Sequence, residues 1–142
     1  MQLTAMRVGA AAWIFTGFVH DVLEFALPGD PELNETMRGS VIEIGPISMN
    51  AESVNRGVSL AMGLAMIVVG LLLLMITQAL KTQAHQLRPF GVVALIATAC
   101  TLTLALALIP GPPVATFSVA VVAFIVALTA KTSPRPHPHA AE

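Results

Sequence analysis

Within His20-Asp21-Val22-Leu23-Glu24 the chain places an imidazole and two carboxylates in little more than one helical turn. On a helix, Trp13, Gly17, His20 and Glu24 share one face, with His20 and Glu24 a turn apart and Asp21 three residues from Glu24. An imidazole beside a carboxylate is the side-chain chemistry of general acid–base catalysis. His20, Asp21 and Glu24 are therefore the candidate catalytic residues, and Trp13, Gly17 and Arg56 the candidate binding residues around them. Counted from Val8, His20 lies roughly 18 Å along the helix axis, just past the middle of a hydrocarbon core about 30 Å thick. Charged groups near that depth cost roughly 2.5–3.5 kcal/mol each, so they must turn inward and find partners. A purely structural role would pair Asp21 or Glu24 with Arg56 and hydrogen-bond His20 to Thr98 or Thr101. A functional role would have these groups bind or protonate a lipophilic molecule in a dry pocket.

Other reactive side chains offer less. Cys100 is the only cysteine, which excludes an intrachain disulfide, a CxxC pair and a thiolate metal cage, and it reads as a small buried hydrophobe. His137 and His139 alternate with proline in a polar tail, and His85 sits in a short loop; all three read as solvated. Met62 and Met66, one turn apart, read as gap-filling core and not as a soft-metal site. No metal and no cofactor is expected: a bis-histidine haem site would need a second histidine inside the bundle.

The elements that must position the cluster follow from hydropathy. The chain of 142 residues is 56% hydrophobic and 11% charged, too apolar for an ordinary soluble domain. A net charge of -1, with no basic stretch interleaved with aromatics, excludes nucleic-acid binding. The expected fold is all-α, a four-helix transmembrane bundle with a structured polar loop between the first two spans. Residues 1–130 form the membrane domain and 131–142 a disordered cytoplasmic tail. The first apolar stretch runs from Val8 to Leu27 and is stopped by Pro28 and Gly29. It resembles a secretory signal, but no small-x-small site follows, so it reads as a retained helix. Asp30, Pro31 and Glu32 supply an N-cap, a first-turn proline and a dipole-favouring acid for a short helix ended by Gly39, within a loop that forms a lid. Asn50 and Glu52 open the next helix, whose uncharged run is Gly57–Leu80. Phe90–Ile109 is the third span, halted by Pro110-Gly111-Pro112-Pro113, and Val114–Ala130 the fourth.

Arg7, Lys81, Arg88, Lys131 and Arg135 fall on one side of such a bundle, and only Arg38 and Arg56 on the other. Both termini are therefore expected in the cytoplasm, in a cell inner (plasma) membrane. Helices in lipid associate through small residues and hydrogen bonds. The stripes expected to face inward are Ser59, Gly63, Met66 and Gly70; Gly91, Ala94, Thr98, Thr101 and Ala105; and Thr116, Ala120, Ala123 and Ala127.

The segments AAWIFTGFVH, ISMNAESVNRGVSLAMG and the PPV turn before the last span resemble an uncharacterised family of small bacterial four-helix integral membrane proteins. The resemblance implies the architecture, a histidine after G-x-x near the end of the first helix, matched by Gly17 and His20, and a second helix rich in small residues, as in Ser59–Gly63. It implies no reaction, and Asp21 and Glu24 match none of its positions. The functional expectation is a membrane-embedded acid–base enzyme of isomerase or cyclase type, or a binding protein, for a lipophilic small molecule. The alternatives are a non-catalytic accessory subunit of a membrane complex and a proton-coupled small-molecule exporter. The exporter fits poorly, because the chain has no tyrosine, one tryptophan and a long acidic first loop. Expected partners are the bilayer, a lipophilic molecule and further copies of the chain as a homo-oligomer.

Overall fold

The computed structural model describes residues 1–27, 29–108 and 111–130. Among them are four helices long and apolar enough to cross a membrane: α1 (Gln2–Ala26), α3 (Ala51–Ala79), α4 (Leu87–Leu108) and α5 (Pro112–Thr129). Even the shortest, at 18 residues, spans about 27 Å of a core about 30 Å thick. A short helix α2 (Pro31–Gly39) and an antiparallel hairpin, β1 (Val41–Ile44) with β2 (Ile47–Asn50), connect α1 to α3. The protein is a small multi-pass membrane protein. The expected tail lies outside the described residues, as do Pro28, His137 and His139.

The local signals act where sequence placed them. Asp30 caps α2 by accepting hydrogen bonds from the Glu32 and Leu33 amides at 2.9 and 3.1 Å, and Asn50 caps α3 by accepting from Ser53 N at 2.7 Å. Pro112 occupies the first turn of α5, where its missing N–H leaves no intrahelical bond unmade. Helix α1 starts at Gln2, well before Val8, with no side-chain cap to announce it. The hairpin was not expected. Its register pairs Ile42 with Met49 and Ile44 with Ile47 across a two-residue turn, in which Gly45 takes φ 59°, a conformation other residues rarely adopt.

Helix α1 is the hub, packed against α3 on one side and α5 on the other, with α4 against α5. The α1–α3 seam runs antiparallel on residues spaced by seven. Gly17 crosses Gly63 so closely that a Cβ at Gly17 would meet the Gly63 carbonyl, and one at Gly70 would lie 2.7 Å from the Ala10 carbonyl. On the other side Gly9 receives the Phe124 ring, and Trp13 donates its indole N–H to Thr98 Oγ1 at 2.9 Å while meeting Phe117 edge-on at 5.2 Å. Thr98 in turn donates to the Ala94 carbonyl, so this buried polar pair is satisfied.

The inward stripes are largely as expected: Gly63, Met66, Gly70, Gly91, Ala94, Thr98, Ala105, Ala120, Ala123 and Ala127 are buried. Ser59, Thr101 and Thr116 are half-buried. Phe15, Phe18, Leu64, Leu71, Val93, Ile96 and Leu104 point outward, a coat suited to lipid. Cys100 and Met62 belong to that coat, contrary to the reading of both as core: α4 is covered chiefly by α5 and α3 chiefly by α1, so most of the circumference of each faces outward.

Candidate functional site

At the end of the bundle beneath α2, the last turns of α1 face the first turns of α3. Ser59 Oγ accepts from His20 Nε2 at 3.0 Å and donates to Glu24 Oε2 at 2.8 Å. His20 Nε2 also lies 3.2 Å from the Ser59 carbonyl oxygen. A carbonyl can only accept, so the Nε2 atom carries the hydrogen and the line runs His20 N–H to Ser59 O–H to the Glu24 carboxylate. The other ring nitrogen, Nδ1, is left outside this line. Ser59 was read from sequence as a packing position, because a serine in a stripe of small residues gives no sign of the groups it will meet.

Above this line is a cavity of about 610 Å³. Its bundle wall includes His20, Leu23, Glu24 and Phe25 from α1 and Glu52, Asn55 and Arg56 from α3. Its roof is one face of α2, formed by Leu33, Asn34, Met37 and Arg38 at helical spacing. Asp30 lines the cavity as well while capping α2. A salt bridge fastens the roof: Arg38 donates to Glu52 through Nε at 2.5 Å and through a terminal nitrogen at 3.0 Å. The Glu52 carboxylate holds the Arg38 guanidinium above even its usual high range, first by the hydrogen bond and then by charge. The lid expected of the first loop is thus α2 alone. The hairpin is exposed and reaches the bundle through its junction with α3, where Ala51 N donates to the Ser40 carbonyl at 2.9 Å.

The six residues singled out from sequence separate into two groups. His20, Glu24 and Arg56 line the cavity together. Trp13 and Gly17 do not form its floor: Trp13 turns to Thr98 and Phe117, and Gly17 is consumed by the crossing with Gly63. Asp21 is also outside the lining. Its carboxylate lies over Gly63, where any Cβ would collide with it, and its Oδ1 is buried with no hydrogen-bond partner among the described residues.

The expected structural pairings are not made. Arg56 bonds neither Asp21 nor Glu24; its guanidinium stands 5.3 Å from the centroid of the Phe25 ring. His20 bonds Ser59 and not Thr98 or Thr101, because Thr98 is taken by Trp13 and Thr101 donates to the Ala97 carbonyl of its own helix. Compared with protein-family models, curated proteins and solved structures, the chain matches none. The likeness read from its segments therefore extends to a small four-span membrane protein and identifies no family.

Proposed function

We propose that the protein binds a lipophilic small molecule in the cavity beneath α2 and exchanges a proton with it through His20. The observation that carries this reading is the meeting, in one roofed cavity of about 610 Å³, of apolar side chains with a histidine wired through Ser59 to a carboxylate. The volume falls within the roughly 300–1,000 Å³ of small-molecule sites, and the lining sets Leu23, Phe25, Leu27, Leu33 and Met37 beside a larger set of polar and charged groups, so the ligand must carry both an apolar and a polar part.

Ser59, itself held by Glu24, fixes the ring through Nε2 so that Nδ1 is the atom left for a ligand. A proton given from Nδ1 leaves the neutral imidazole with its hydrogen on Nε2, still held by Ser59. A proton taken at Nδ1 gives an imidazolium that still donates from Nε2 to Ser59. This is the equipment of an acid–base isomerase or cyclase, and also of a binding protein that recognises a hydrogen-bonding group. Two features support a cavity on the non-cytoplasmic side of the plasma membrane: the bias of Lys and Arg toward the opposite loops and the acidic character of the α1–α3 connection.

The test is to extract small molecules from purified protein and to compare the wild type with His20→Ala and Glu24→Gln. Both variants should keep the wild-type thermal transition to within a few degrees and lose the bound compound. Undiminished occupancy in both variants contradicts the proposal.

A further inference from the structure

We infer that the occupant of this cavity is an acid with an alkyl tail, its acid group held by Arg56; the inference rests on the cavity reading above. Most charged groups in the lining already have a use. Arg38 is tied to Glu52, Asp30 to the first amides of α2, and Glu24 through Ser59 to His20. Arg56 is the exception. Arg38–Glu52 is the only salt bridge among the described residues; Arg56 stands over the face of Phe25 and feels the charge of Glu52, whose carboxylate oxygens are already bonded to Arg38, so its own N–H donors are left without a hydrogen-bonded acceptor there.

A guanidinium stacked on an aromatic ring keeps its edge donors free, and those donors match the two oxygens of a carboxylate or the oxygens of a phosphate. The Asn55 amide adds a polar group to the same wall. Leu27, Leu33 and Met37 give the alkyl part an apolar path beneath α2. Repulsion from the Glu24 carboxylate sets the direction, with the acid at Arg56 and the tail away from it. A cationic head would meet the Arg56 guanidinium with no acceptor for its donors, and a neutral head would leave those donors largely unused. The acid is either a free alkyl acid or an anionic lipid of the bilayer itself, since both present the same group.

The full-length protein in phosphatidylcholine nanodiscs, with empty discs as the blank, is titrated with dodecanoate, dodecanol and dodecyltrimethylammonium. Dodecanoate should bind about tenfold or more tighter than either alternative. Arg56→Gln should remove that margin and leave dodecanol binding as it was, whereas Arg56→Lys, which retains the charge, should keep part of it. Equal binding of dodecanoate and dodecanol by the wild type, or an unchanged dodecanoate preference in Arg56→Gln, overturns the assignment to Arg56 while leaving the cavity reading intact. Failure of all three probes to bind above the blank removes the cavity reading as well. Adding phosphatidylglycerol to the discs separates the sources: competition with dodecanoate identifies a bilayer lipid, and its absence identifies a free acid.

Discussion

Ser59 is the residue on which the chemistry turns, because its one hydroxyl accepts from His20 and donates to Glu24. Ser59→Ala removes both bonds but leaves the carbonyl contact to His20, so it should lower stability by only about 0.5–1.5 kcal/mol, measured by unfolding in detergent. Its effect on ligand binding should match that of Glu24→Gln, and the two changes together should cost little more than either alone. A tighter constraint lies four residues further along α3. The Asp21 carboxylate occupies the space that a Cβ at Gly63 would take. Gly63→Ala should therefore destabilise by about 1–3 kcal/mol. Asp21→Ala alone should leave stability unchanged or higher, since it removes a buried oxygen without a partner, and in the Gly63→Ala background it should recover most of the loss. Two independent, additive losses would show that these residues do not meet.

At the scale of elements, legibility in the sequence followed the range of the signal. Caps act within three residues, and Asp30-Pro31-Glu32 and Asn50 announce α2 and α3 where the structure has them. The inward stripes were legible because small residues in lipid have few uses other than close packing. The hairpin was missed because its alternation spans only four residues on each strand, inside a stretch that reads as polar loop. The partners of the polar groups were not legible at all. Helical periodicity gives a face, and whether Trp13 on that face looks toward α3 or toward α4 depends on how the helices are arranged around α1. The same limit hid the Arg38–Glu52 clasp, whose partners lie on different helices 14 residues apart. If that clasp holds the roof, hydrogen exchange of the α2 amides should speed up in Glu52→Gln and in high salt, which screens an exposed pair. Exchange that is indifferent to both would mean that α2 is held by its apolar face alone.

For the whole molecule, four spans would put both ends on one side, and the proposal that this side is the cytoplasm rests on the distribution of Lys and Arg. Reporter fusions at Thr82 and after Glu142 should both be cytoplasmic, and one at Asn34 should be outside; opposite sides for Thr82 and Glu142 would refute four spans. In this arrangement α3 and α5 pack against α1 and α4 reaches it through the Trp13–Thr98 hydrogen bond, the C-terminal end of α1 forms a wall of the cavity, and α2 lies over that space. The most direct measurement of whether that space serves a ligand fills it. Met37→Trp adds bulk to the roof without touching His20, Ser59 or Glu24. Native mass spectrometry of the protein released from its membrane should show a bound small molecule in the wild type and its loss in Met37→Trp, with the thermal transition of the ligand-free protein preserved. Equal occupancy of the two proteins would contradict the account.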